Sequence, residues 1–238
     1  MVGMTKGLSL YRMSVLFIFL LLSNFLFAQQ VSIAYLVEKK GEASQLFVLD
    51  INDNGTLFYS NEYCESTDPE IYNFTVVEKR KNSKSFILHD QLEDLKVRIN
   101  YPFILDWKLE KEEKMKDDIR LNKATVKFKG KQWIAWYDAS FAPATGPFLF
   151  NQLPGLIYEI ESEKFQIELV SIANNVKNCA SISQNEKEID FERYEKYNHE
   201  LIDLIQDGYR RKIKGVEGNT LQDLIENSIR KDLFKELL

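Results

Sequence analysis

Only two cysteines and two histidines occur in the 238 residues, and that scarcity removes whole classes of chemistry. No Cys-x-x-Cys unit exists, so neither a zinc ribbon nor a thioredoxin-type redox site is supported. The cysteines, Cys64 and Cys179, are candidates for one disulfide in an oxidising compartment. Two separate buried thiols remain the alternative. The histidines, His89 and His199, are far from any Gly-x-Ser-x-Gly elbow, because the chain has none. A Ser-His-Asp triad or a scattered zinc site therefore has little to stand on, and structural histidines are expected. Basic residues are also in the minority. The first 28 residues hold two basic residues and no acidic one, which leaves 29 basic and 36 acidic residues in the remainder, a net charge of −7. Such a surface disfavours nucleic acid and simple attachment to anionic lipid. Internal repeats and low-complexity segments are absent. So is a second apolar stretch long enough to span a bilayer.

The one long apolar run lies at the start. Lys6 and Arg12 precede Val15 to Leu22, and Phe25, Leu26 and Phe27 extend the run past Ser23 and Asn24. It is too short and interrupted for a spanning helix, which needs about 20 apolar residues. Ala28 followed by Gln29 supplies a small residue at a cleavage point, so residues 1–28 read as a removable secretory signal. The expected destination is the periplasm or the extracellular space, with no transmembrane anchor in the mature chain.

The chain is rich in aromatics, 13% of the whole, which favours pleated surfaces. Val31, Ile33, Tyr35 and Val37 alternate on one face of a first strand. Further strands are expected at 46–51, 56–59, 85–89, 96–101, 105–110, 124–129, 132–137, 155–160 and 165–172. Asn54-Gly55 reads as a hairpin turn because both residues accept positive φ, Gly130-Lys131 as a second tip, and Glu163-Lys164 as a third. From Asp190 to Lys214, and again from Leu221 to Leu237, apolar residues recur every three or four positions, the stripe of an amphipathic helix. The expected fold class is α+β: an antiparallel meander, forming an open curved sheet or partial barrel, with two C-terminal helices packed on it. The expected division is a signal at 1–28, a β-rich domain at 29–183 and a helical segment at 184–238.

The most specific pattern spans 107–160. Trp107 precedes the Lys123-Ala124 strand start, and Trp133-Ile-Ala-Trp136-Tyr137 comes after it. Then come Phe141-Ala-Pro143, Gly146-Pro147-Phe148 and Phe150, and the segment closes with Leu153-Pro154-Gly155-Leu156-Ile157. Physically this is a strand entering a long connection stiffened by Pro143, Pro147 and Pro154. Phe148, Phe150, Leu153, Leu156 and Ile157 are too apolar to stay wet, so the connection is expected to fold back onto the core. The order of these residues closely resembles the GLPGLI family, exported proteins mostly of Gram-negative bacteria. The resemblance implies no established biochemical function. Gln152 stands where the signature begins with Gly, Leu121 where many relatives carry Cys, and Lys131 where Arg is usual.

Other features have a bland and a sharp reading. Glu110, Glu112, Glu113, Asp117 and Asp118 suggest calcium or a glycosidic carboxylate pair, but the interleaved lysines fit a solvated edge better. The acidic run from Glu186 to Glu192 is read the same way. Trp107, Trp133 and Trp136 are expected to be core more than ligand pocket. Period-two alternation puts Trp133 and Trp136 on opposite faces, so one of them is a candidate for ligand contact. Neither cofactor nor catalytic residue is assigned. The leading expectation is a non-enzymatic binding or carrier protein for an apolar ligand or a peptide. The alternative is a structural or assembly partner in the cell envelope, and a hydrolase ranks third.

Overall fold

The computed structural model describes residues 30–61, 76–92, 95–174, 182 and 185–197. Cys64, Cys179, His199, the expected leader with Ala28 and Gln29, and the expected second helix all lie outside the described residues. Two meanders build one sheet. The first contains β1 (Val31–Lys39), β2 (Gln45–Asn52), β3 (Gly55–Ser60), β4 (Val76–Arg80), β5 (Ser85–Leu92) and β6 (Leu95–Pro102). The second contains β7 (Lys108–Lys116), β8 (Ile119–Phe128), β9 (Lys131–Asp138), β10 (Leu156–Glu161) and β11 (Phe165–Asn174). They join where β1 pairs antiparallel with β11, and the short β12 (Lys187–Ile189) adds in parallel beside β6. The described residues thus form a 12-stranded sheet in the order β12-β6-β5-β4-β3-β2-β1-β11-β10-β9-β8-β7.

That order forces curvature. β6 and β7 lie near opposite ends of the sheet, yet only residues 103–107 connect them. So short a segment reaches at most about 20 Å when fully extended. The sheet must therefore roll until its ends face each other, which right-handed twist permits. Contact across the gap is direct: Phe103 lies 4.8 Å from Phe128 of β8 and 5.2 Å from Tyr101 of β6. The roll stays unclosed, because β7 and β12 end the sheet without pairing to each other.

Helix α1 (191–197) sits across this seam. Asp190 caps it, its carboxylate accepting from the Arg193 amide at 2.8 Å, as N-cap residues do. Phe191 packs at a tilt on Tyr101, with ring centroids 4.1 Å apart, and the Tyr194 hydroxyl donates to the buried Asp90 at 2.6 Å. Lys129 reaches Glu195 from the β8–β9 turn. The start of the expected first helix is therefore observed, packed against the sheet as expected. Among the described residues it is the one helix longer than a turn.

Two-residue turns differ from expectation in their placement. The β8–β9 tip is Lys129-Gly130, at φ 48° and 74°, and Lys131 already belongs to β9. At the β2–β3 tip Asn52 pairs with Gly55, so Asp53-Asn54 turns the chain. The Asn52 carboxamide holds this turn by accepting from the amides of Asn54 at 2.8 Å and Gly55 at 3.2 Å, an Asx turn. The expected strand at 105–110 also shifts: residues 103–107 cross the seam, and the strand runs from Lys108 to Lys116. Its tip, Asp117-Asp118 at φ 47° and 65°, uses the tolerance of Asp for left-handed backbone.

The concave face holds the core. Ile33, Tyr35, Leu49, Phe58, Leu88, Ile99, Trp133 and Ile167 are all nearly or fully buried there. The opposite face carries the charged rows, with local exceptions: Ser32 and Tyr59 both donate to the buried carboxylate of Asp50, the tyrosine at 2.6 Å.

Candidate functional site

A rolled sheet of this size leaves a trough, and the chain fills it with its own connection between β9 and β10. Phe148, Leu149, Phe150 and Leu153 are each no more than 2% exposed. Phe150 lies 4.6 Å from Trp133, 5.8 Å from Phe128 and 6.5 Å from Trp107. The connection is therefore a plug, as its apolar content required. Backbone bonds lock it: the Thr145 amide donates to the Gly155 carbonyl and the Ile157 amide to the Thr145 carbonyl, both at 3.0 Å. The Trp107 indole donates to the Asn151 carbonyl at 2.7 Å, and the Tyr35 hydroxyl to the Ile157 carbonyl at 2.7 Å.

Apart from Trp136, the residues of the signature have a place in this plug or its socket. Ala124 and Trp133 are fully buried under it, and Tyr137 is buried beside it. Leu156 and Ile157 are fully buried at the start of β10. Gly146 has Phe150 backbone and the Ile157 side chain where a Cβ would stand, at 2.3 Å and 2.6 Å. Gly155, at φ 151°, has the Asp138 carbonyl oxygen at 1.9 Å from that position. Pro143 follows a cis peptide bond, Pro147 accepts from the Phe150 amide at 3.0 Å, and Pro154 is exposed at the last bend. Gln152 adopts φ 73°, a region that suits the Gly of the resembled signature. Its side chain compensates by accepting from the Leu105 amide at 2.9 Å and donating to the Phe103 carbonyl at 3.3 Å. Gln152→Gly relieves the strained backbone and removes both bonds, so stability is expected to move by less than about 1 kcal/mol. Urea unfolding checks this, and a larger loss would assign the crossover's anchoring to Gln152 alone.

Trp133 and Trp136 do stand on opposite faces. Trp136 is half-buried on the outer face, but its ring is covered: Lys114 lies 4.6 Å and Lys123 5.7 Å from its centroid. Lys114 and Lys116 bridge to Glu159, and Lys116 also to Glu168. Cations thus already occupy the face a flat ligand would use. The acidic cluster lies on β7 and its tip, where Glu110 meets Lys108 at 2.9 Å and Glu112 meets Lys123 at 2.7 Å. This is the solvated edge expected. Among the described residues no three His, Cys, Asp or Glu side chains gather to hold a metal ion.

Glu186 departs from expectation. It is not solvated: its carboxylate is 5% exposed and lies 2.9 Å from His89 Nδ1, while His89 Nε2 lies 3.1 Å from Glu78. Both ring nitrogens are committed, which ties the approach to β12 onto β4 and β5. The His89 hydrogen bond, more than the pairing with Arg80, holds the Glu78 carboxyl below its ordinary range. A carboxyl lowered on folding adds stability above its unfolded pKa and loses it as pH falls through the lower folded value. The Glu78 contribution is therefore present at neutral pH and disappears below the ordinary carboxylate range. In His89→Gln the carboxyl carbon of Glu78, followed by NMR, is expected to titrate closer to the ordinary carboxylate value. An unchanged titration would remove His89 as the cause.

Beside the plug lies an open groove of about 470 Å3. One wall is the rim of β2, β3 and β4 with their turns, from Ile51, Thr56 and Lys79 to Lys81; the other is the plug, through Pro143, Thr145 and Asn151. Gly55 lets the walls of the first half approach, since the Lys79 carbonyl oxygen stands 2.0 Å from where its Cβ would be. Arg80, Lys79 and Lys81 line the groove against a single carboxylate, Asp53, at the exposed turn. Arg80 is engaged by Glu78 at 2.9 Å. Lys79 is half-buried over Phe86 at 5.9 Å, and burial holds its ammonium below the usual lysine range. Asn151 is 4% exposed, and its carboxamide oxygen has no hydrogen-bond partner. Sequence reasoning passes over this groove, because β4 is not among the expected strands and Asn151 has no local signature.

Fold and site together define a class: a rolled antiparallel sheet, plugged by its own connection, with a polar groove beside the plug. No family model matches the sequence, and no curated protein matches it. Among solved structures the fold is similar to PNGF-II in two crystal forms, with TM-scores of 0.59 and 0.57 at 18% and 17% identity. The match covers 71% of this chain in both cases but only 33% and 32% of the PNGF-II chains. The chain thus spans about a third of their length, and the likeness is one of fold. An uncharacterized conserved protein from Thermus thermophilus aligns over 69% of this chain and 91% of its own at 8% identity, with a TM-score of 0.39 that carries no argument.

Proposed function

We propose that this chain is an exported bacterial protein of the GLPGLI type that acts by binding, without a catalytic step, and that its ligand lies in the groove between the plug and the β2–β4 rim. The groove carries this reading, with Lys79 half-buried on its rim and no carboxylate partner for it among the described residues. Export rests on the composition of residues 1–28, and family membership on the signature between Trp107 and Ile157.

The plug bears on the kind of ligand. A carrier for an apolar molecule would offer an apolar trough, but Phe148, Leu149 and Phe150 fill the trough between the described strands. The acid–base groups within the described sheet are committed as well: His89 through both nitrogens, Asp50 to Ser32 and Tyr59, Asp90 to Tyr194. The rival assembly reading would use the outer edge of β7, which no other described strand pairs, with Leu109 and Met115 exposed there. That strand alternates Lys and Glu and carries a register irregularity between Leu109 and Glu113, features that discourage pairing with another chain.

The test is mass spectrometry of small molecules that copurify with the mature protein from its native envelope. Ala144→Trp places a large ring at the exposed rim of the groove and leaves the core alone. A polar compound is expected with the unaltered protein and at least tenfold less with the variant. Equal recovery from both, or a stoichiometric protein in place of a small molecule, would sink the reading.

A further inference from the structure

We infer that the groove takes a small organic anion, with its charged end at Lys79 and an apolar part against Pro143 and Ala144, an inference that rests on the groove being the binding site. The position of Lys79 supplies the first half of the argument. It stands two residues after the buried Val77 on β4, so it projects onto the same inner face. Its ammonium lies 5.9 Å from the centre of the Phe86 ring, which belongs to the core. The ring attracts the cation but cancels no charge. Among the described residues no carboxylate pairs with Lys79, and burial alone holds its ammonium below the usual lysine range. An anion that enters the groove restores what burial removes.

The rest of the lining supplies the second half. Lys79, Arg80 and Lys81 are basic and only Asp53 is acidic, although the chain as a whole carries a net charge of −5. Asp53 stands at an exposed turn, where water screens it. Glu78 pairs with Arg80, which leaves Lys79 and Lys81 as the lining cations without a carboxylate among the described residues. Asn52 adds a donor. Its carboxamide oxygen is taken by the amides of Asn54 and Gly55, so its N–H pair is what it has left to offer. Across from this rim the plug presents Pro143 and Ala144, both exposed and without a polar side-chain atom. A ligand charged throughout leaves that wall wet, whereas one with an apolar part covers it. The volume, about 470 Å3, lies in the range of small-molecule sites.

The experiment uses the isotopically labelled protein and four probes: benzoate, benzamide, acetate and inorganic phosphate. Amide resonances of Gly55, Lys79, Ala144 and Thr145 report occupancy. Benzoate is expected to shift them with an affinity at least about tenfold above benzamide, which keeps the ring and lacks the charge. It is also expected to exceed acetate and phosphate, which lack the apolar part, by about fivefold or more. The Lys79 ammonium, followed through its side-chain carbon, is expected to titrate at higher pH with benzoate present, because a neighbouring anion favours the charged form. Lys79→Met is expected to weaken benzoate at least about tenfold, while Lys79→Arg keeps most of the affinity. The titration needs no variant, so it decides the matter should Lys79→Met not fold. Benzamide binding as well as benzoate would overturn the inference, as would a Lys79 titration that benzoate leaves unmoved. Acetate or phosphate matching benzoate would overturn the apolar half of it. A neutral compound from the envelope extract that shifts the same resonances would overturn the ligand class and leave the binding site standing. An extract that shifts none of them would overturn the binding site itself.

Discussion

Alanine at Gly155 is expected to lower stability by about 4 kcal/mol or more, one of the largest losses available from removing no contact at all. The residue sits at φ 151°, and an added Cβ would stand 1.9 Å from the Asp138 carbonyl oxygen and 2.6 Å from its carbon. Backbone, not a flexible side-chain end, blocks that space, so relief requires moving the β9–β10 pairing at Leu156 and Asp138. For a chain of this size a loss of that order corresponds to a fall of roughly 10 °C or more in Tm. Gly130→Ala is the control. Its φ is also positive, at 74°, but nothing stands within 4 Å of the added atom, so the cost should stay near the ~1–2 kcal/mol of left-handed backbone. Equal losses at both positions would show that strain, and not the close approach, sets the effect.

Phe150→Ala should cost about 3–5 kcal/mol, the range for removing a large buried aromatic side chain. The ring is fully buried and meets Trp107, Phe128, Trp133 and Phe148. It therefore ties the plug to the β6–β7 crossover and to β8 and β9. Loss of the ring is also expected to open the trough, so an apolar dye should bind the folded variant and ignore the unaltered protein. Phe150→Leu restores most of the volume and should recover more than half of the stability. A small loss without dye binding would mean that the plug is held by its backbone bonds at Thr145 and Gly155 alone.

Much of the sheet is legible in the sequence. Alternation at Val31 to Val37 is observed as β1, with Ile33, Tyr35 and Val37 buried. The opposite placement of Trp133 and Trp136 comes from their spacing of three. The apolar connection folds inward because too many aromatic atoms have nowhere else to go. Turn tips fall one residue away from expectation at Lys131 and at Gly55, because local composition identifies a turn while cross-strand register chooses its centre. β4 escapes a sequence reading since Val76-Val77-Glu78-Lys79-Arg80 is short and half charged. It is a strand because β3 and β5 offer it ladders on both sides. Glu186 looks solvated in sequence because its partner, His89, is 97 residues away.

What the residues fixed by themselves was local: the alternation that makes strands, the glycines where backbone must turn or touch, and the excess of apolar atoms in 141–157. What only tertiary structure decided was adjacency. A short crossover between β6 and β7 obliges a wide sheet to roll, and rolling brings the β2–β4 rim alongside the plug. Lys79 and Asn151, 72 positions apart, line one groove for that reason. Burial then gives each a property its type does not possess in water, an ammonium relieved of part of its solvation and an amide oxygen left wanting a donor.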